Sequence, residues 1–383
     1  MLILTATLAT LVYGLIAPIL GALLPTYGLT AGQQAMLATL QAIGLIISSL
    51  SAGPLVDIKG NKSGLLIGLA LIIASITAAP NAGGYSGLLV VYFVLGIGGG
   101  TIVTAANALI SAIEPTRRSS VLNLINLFFG LGGIITTYVA SEPISPAYVC
   151  YAIGALTLLT FLIGAATKMP GPAGQASFRV SEAPALLSRP ALMLLCLMLF
   201  LYVSCEVGVW NWLKIYLETM HFSAVSAGHV VSYGFAFGIL VGRVIVSRIL
   251  LKVRPLTVTL VASICMAITT FLMLQLSSRA AITAAVFCAG LSMAPMFPTT
   301  LGITGDTFRR GAATAMGIAI TFGWIGLAVS SHIIGSLAGS SRDYHYALLL
   351  IPGFSLLLIL VNLVLRPVLK HPVHEVAFVS DLE

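Results

Sequence analysis

Of the eleven Asp and Glu residues in this 383-residue chain, Glu206 stands apart. The other ten, Asp57, Glu114, Glu142, Glu182, Glu218, Asp306, Asp343, Glu375, Asp381 and Glu383, fall where loops, tails or helix ends are expected. Glu206 lies in the middle of a predicted apolar helix over 190–217. An ionisable group at mid-membrane depth is expensive, and is retained mainly where it faces a cavity and works there. Helical spacing puts Tyr202, Glu206 and Trp210 on one stripe, with Asn211 beside it. Such a stripe can hold a polyol, the acid accepting hydroxyl protons while the indole covers the apolar side of a ring. Low dielectric disfavours the ionised carboxylate, so Glu206 can also take up a proton on one side of a membrane and release it on the other. The competing reading is a structural hydrogen bond inside the bundle. Lys214, eight residues on and about 12 Å along the axis, is too far away to pair with Glu206 directly.

Other polar residues recur in register. Gln34, Gln41 and Ser48 repeat every seven positions, Thr101, Thr104, Asn107 and Ser111 form a stripe, and Asn123 and Asn126 share a face. Gln41, Asn107 and Asn126 are candidate solute ligands, and Tyr13, Phe297 and Trp324 candidate cavity aromatics. Hydroxyls and amides also hold helices together in membranes, and aromatics fill bundle cores. All five cysteines, Cys150, Cys196, Cys205, Cys265 and Cys288, sit in apolar stretches. They give no disulfide framework, metal site or cofactor site. Gly96 to Gly100 lacks the Lys-Ser/Thr ending of a phosphate loop, and close helix packing accounts for it.

The elements that carry these residues follow from composition. The chain is 58% hydrophobic and 8% charged, against roughly 25% charged for a soluble domain, so the bilayer is its natural solvent. Uncharged stretches and turn residues predict an all-α membrane protein of twelve helices, over 2–24, 31–53, 63–80, 86–113, 118–141, 146–168, 190–217, 223–248, 255–277, 280–304, 311–337 and 344–368. The first is expected to be retained rather than cleaved as a signal peptide. A polar stretch, 169–188, divides residues 1–168 from 189–370, leaving a tail over 371–383. Lys59, Lys62, Arg117, Arg118, Lys168, Arg179, Arg189, Arg243, Arg248, Lys252, Arg254, Arg309, Arg310, Arg366 and Lys370 are assigned to one face, and only Lys214, Arg279 and Arg342 to the other. That bias predicts cytoplasmic termini, linker and tail in a multi-pass protein of the cell membrane, a bacterial inner membrane by expectation. The net charge of +7 is explained by the same bias and calls for no nucleic acid.

After the second predicted helix the chain reads Gly53-Pro54-Leu55-Val56-Asp57-Ile58-Lys59-Gly60-Asn61-Lys62. This resembles the signature of the major facilitator superfamily, matching at Gly53, Asp57, Gly60 and Lys62 and departing at Ile58, where a basic residue is expected. The resemblance implies two six-helix bundles with a substrate site between them. It also implies a gating role for Asp57, paired with basic groups and a helix N-terminus of the opposite half. The seventh helix, with Glu206 ahead of Trp210, is similar to the fucose:proton symporter and glucose carrier branch, and Asn107, Asn126 and Phe297-Pro298-Thr299 are consistent with it. The fourth-helix Arg tied to proton movement in many members is absent, as is the fifth-helix signature of drug/proton antiporters. The expected function is therefore proton-coupled symport of a sugar or similar polyhydroxylated solute, by a protein expected to be monomeric. A sodium-coupled or uncoupled carrier and an exporter of amphiphilic compounds are the alternatives. A membrane enzyme would need clustered acids, histidines or metal ligands near a membrane face, whereas His371 and His374 lie in the tail.

Overall fold

A computed structural model describes all residues except 20–22, 24–26, 142–143, 172–181, 340–342 and 371–383. The tail, most of the linker with Arg179, the predicted end of the first helix, Glu142 and Arg342 therefore lie outside the described residues. The described residues are helical, without strands. In chain order the long helices are α1 (Leu2–Ile16), α2 (Ala31–Lys59), α3 (Asn61–Ala78), α4 (Tyr85–Ile113), α5 (Arg118–Ser141) and α6 (Pro146–Ala166). The second set is α7 (Pro190–Thr219), α8 (Ala224–Ile249), α9 (Pro255–Gln275), α10 (Arg279–Thr307), α11 (Ala312–Ala338) and α12 (Tyr344–Lys370). Eleven are long and apolar enough to cross a membrane, and α1 is apolar and shorter.

Local chemistry sets many of the ends. Thr30 and Gln33 form a reciprocal capping box at the start of α2, satisfying N–H groups that have no partner inside the helix. Pro146, Pro190 and Pro255 open α6, α7 and α9 at the first helical position, where a missing N–H costs nothing. Pro295 interrupts α10 between Met293 and Met296. Helix α8 contains a π-helical stretch, Val230–Ala236; the wider turns re-phase everything beyond them. Two ends differ from expectation by more than a turn: α1 stops at Ile16 rather than running on toward residue 24, and α2 runs on past its predicted end. Helix α2 runs through Pro54 to Lys59, so Asp57 stands in a final helical turn rather than a loop. The proline costs one backbone bond, which a packed membrane helix absorbs.

Packing repeats with an offset of six. Helices α1 and α5, α2 and α4, and α3 and α6 pair in the first set; α7 and α11, α8 and α10, and α9 and α12 pair in the second. The sets meet chiefly where α2 packs on α11 and α5 packs on α8 and α10. Outer faces, such as Leu158, Leu159 and Leu162 on α6 or Leu356, Leu360 and Leu363 on α12, are exposed and apolar, as lipid requires. A side chain on Gly96 would overlap the Gln41 carbonyl, so the glycine run of α4 serves its close approach to α2.

Candidate functional site

Glu206 occupies the middle of α7 and is half-buried. Tyr202, one turn earlier, and Trp210, one turn later, bring their polar atoms within reach of its carboxyl. Tyr202 Oη is fully buried and closes no hydrogen bond of good geometry. Tyr13, from α1, also lies within electrostatic range of Glu206, and its ring stacks on Phe129 of α5 with centroids 5.1 Å apart. Acid, phenols and indole from α1 and α7 thus converge on the seam between the two sets of helices.

The fourth contributor is Arg243 of α8. Its guanidinium is in electrostatic range of both Glu206 and Tyr202, donates to the Asn126 carbonyl of α5 and sits 6.0 Å from the centroid of the Phe129 ring. It is 3% exposed. Assignment of Arg243 to a membrane face is therefore a misplacement: the residue lies six positions before the end of α8, about 9 Å inside by helical rise. The cation facing Glu206 is Arg243. Lys214 is exposed and reaches Glu218, 3.9 Å away on its own helix. The signal was in the sequence, because Val244, Ile245 and Val246 continue the apolar helix beyond Arg243.

The remaining candidates distribute around this centre. Asn126 Nδ2 donates to Asn107 Oδ1 at 2.9 Å, and each amide also binds the carbonyl one turn back, at Leu122 and Val103. The pair ties α5 to α4, and through its carbonyl Asn126 positions Arg243. Trp324 Nε1 donates to Ser49 Oγ at 3.1 Å, linking α11 to α2. Asn211 Nδ2 donates to Ser331 Oγ at 3.2 Å, toward α11 rather than toward Glu206. Trp210 is 40% exposed and meets Phe235, in the π stretch of α8, edge to face with centroids 5.3 Å apart. Gln41 and Phe297 are half-buried. Among the described residues, no group of three or more His, Cys, Asp or Glu side chains could hold a metal ion.

At the end that carries the linker, α11 starts after Gly311, whose φ of 75° is left-handed and which offers no capping side chain. Asp57 supplies the cap from the other set of helices. Its Oδ1 accepts from Ala313 N at 3.2 Å, and its Oδ2 accepts from Thr314 N at 2.8 Å and Thr314 Oγ1 at 2.6 Å. A carboxylate on first-turn N–H groups is favoured by their exposed dipoles. Among the described residues Asp57 makes no ion pair, so its partners are the helix N-terminus and a hydroxyl, not the basic groups expected. Gly53 allows the approach: a Cβ there would stand 2.5 Å from Thr314 Cα. Gly60, with φ of 84°, makes the turn into α3. Lys62 donates to the Ala165 and Thr167 carbonyls at the end of α6, within its own set. Two further bridges close the same end, Arg118 to Asp306 at 2.7 Å and Arg310 to Glu182 at 2.9 Å.

The sequence profile of the Major Facilitator Superfamily matches residues 2–331. The chain belongs to that superfamily. It is thus a multi-pass membrane protein of a transport family, not an enzyme family. Among solved structures, the fucose:proton symporter FucP of E. coli aligns with a TM-score of 0.82 at 17% identity, over 95% of this chain and 98% of that one. The proton:xylose symporter XylE aligns with a TM-score of 0.78 at 14% identity, over 94% of each chain. At these identities the likeness is one of fold. The 4-hydroxybenzoate transporter PcaK of Pseudomonas putida is 31% identical over 163 residues, spanning 41% of this chain and 35% of that relative's length.

Proposed function

We propose that this member of the superfamily is a secondary active symporter that moves a small hydroxylated solute inward, a sugar or similar compound, with a proton carried on Glu206. The supporting observation is the setting of Glu206: a half-buried acid at mid-helix, ringed by Tyr13, Tyr202, Trp210 and Arg243 where the two sets of helices meet. Phenol, indole and carboxyl groups suit a polyol, and an acid at that depth suits a proton. The hydrogen bonds of Asp57 and the Arg118–Asp306 bridge shut the linker end. With that end cytoplasmic, the structure corresponds to an outward-facing state, and its likeness to FucP in the outward conformation, with a TM-score of 0.81, supports this reading. Reopening would break these contacts and offer Glu206 to the cytoplasm, where the proton leaves. The solutes for which the relatives are named include neutral sugars and a hydroxybenzoate, so the charge of the solute is decided by the site itself.

The test is Glu206→Gln in reconstituted vesicles. Accumulation against a gradient under an imposed pH difference is expected to vanish, while binding and one-for-one exchange survive. Accumulation at the wild-type level would remove Glu206 from the coupling step. Sodium coupling would show itself as uptake that follows a sodium gradient and ignores a pH jump.

A further inference from the structure

Arg243 is a complete positive charge enclosed by helices, and its hydrogen bonding is unfinished. One N–H group is used on the Asn126 carbonyl, while Nε is buried without a partner. No carboxylate of the described residues lies within 4 Å of it. Glu206 comes near enough to interact through space and no nearer. Enclosing a charge without a paired counter-ion is costly, and removing one partner of a buried pair ordinarily destabilises strongly. Intramembrane cations accordingly mark the paths of substrates and ions. A guanidinium also presents a planar fork of donors that matches a carboxylate, and it cannot shed its charge to relieve the cost. Two of the candidate amides, Asn126 and Asn107, are engaged with each other, whereas the Arg243 fork is not filled.

We infer that the solute of this site is a small hydroxylated monocarboxylate, its carboxylate held by Arg243 and its entry accompanied by one proton taken up on Glu206. The inference rests on the proposed function, namely that Glu206 lines the route of the solute. The charge balance explains the proton. With the guanidinium alone facing two carboxylates, Glu206 and the solute, the enclosed site would carry net negative charge. Protonation of Glu206 from water on the open side restores neutrality, so proton and anion each favour the binding of the other. The groups facing Glu206 are Tyr13 from α1, Tyr202 and Trp210 from α7, and Arg243 from α8. The aromatic and phenolic members receive the hydroxyl-bearing part of the solute.

Pairs that exchange a carboxylate for a neutral amide test this on the purified full-length protein: gluconate against gluconamide, and 4-hydroxybenzoate against 4-hydroxybenzamide. Thermal shift and direct binding are followed from pH 5.5 to 7.5. A carboxylate is expected to stabilise the protein where its neutral partner does not. Its apparent affinity should tighten roughly tenfold for each unit of falling pH over the range in which one proton is taken up per anion. Arg243→Gln should abolish that binding and Arg243→Lys retain a weakened part of it; should the Gln variant fail to fold, the pH dependence of the wild type decides. Neutral members binding as tightly as their acids, or anion affinity flat with pH, overturns the inference. Glucose accumulated in a Glu206-dependent manner would overturn it while leaving the proposed function intact. Accumulation indifferent to Glu206→Gln would instead bring down that function and this inference together.

Discussion

At the residue scale, Asp57 ties the end of α2 to the start of α11. It accepts three hydrogen bonds across the seam, from Ala313 N, Thr314 N and Thr314 Oγ1. Hydrogen bonds to a charged group are worth about 1.5–3 kcal/mol each when lost singly. The three are not additive, because water reaches the freed donors once the carboxylate is gone, so the net loss is about that of one such bond. Asp57→Ala should shift the closed-to-open ratio by roughly tenfold to a hundredfold, and Asp57→Asn, which keeps one acceptor oxygen, by less. Distances between spin labels on the α4–α5 and α10–α11 turns would show a lengthened population. Unchanged distance distributions in Asp57→Ala would mean that the cap is incidental to closure. Asp57 was legible because its chemistry came with a motif. Arg243 was not, because a basic residue near a helix end is by habit counted as a loop charge, and only the apolar residues after it, Val244 to Val246, marked it as internal.

At the element scale, the crossing of α2 and α11 depends on two small residues. A side chain on Gly317 would overlap the Ser49 carbonyl, and one on Gly53 would press on the Thr314 backbone. Gly53→Val should hold the helices apart, costing about 1–3 kcal/mol of the closed form as an overpacking penalty. The expected outcome is a lowered melting temperature in detergent and loss of coupled uptake. Gly32→Ala is the control. Nothing lies within 4 Å of its added methyl, and replacing a helical glycine by alanine should stabilise by roughly 0.5–1 kcal/mol. Equal melting temperatures for the two variants would argue against a tight crossing. Helix positions were readable from uncharged stretches and turn residues, since a bilayer forces long apolar runs. The end of α2 was less so: proline reads locally as a stop, and what carries the helix on to Lys59 is its packing against other helices, which no local pattern records. The π stretch in α8 and the break of α10 differ in the same way, Pro295 being visible in the sequence and Val230–Ala236 carrying no such mark.

At the scale of the whole molecule, the pairing of helices repeats with an offset of six, and the seams α2–α11 and α5–α8 are exchanged by the same operation. A rocking motion about such an arrangement must open the linker end when it closes the other, so locking one contact there should arrest the whole cycle. Ser119 at the start of α5 and Gly302 in α10 offer that lock. A Cβ built on Gly302 would lie 3.0 Å from Ser119 Cβ, a little closer than the roughly 3.5–4.5 Å usual across a disulfide, so a small relaxation would suffice. In a background lacking Cys150, Cys196, Cys205, Cys265 and Cys288, the Ser119→Cys, Gly302→Cys pair should cross-link under mild oxidation. Transport should then stop, and reduction should restore it. On the proposed outward-facing reading, solute binding from the open side should persist in the locked protein. Continued transport through a fully cross-linked sample would mean that the halves do not part at this contact, and the alternating cycle would need a different hinge.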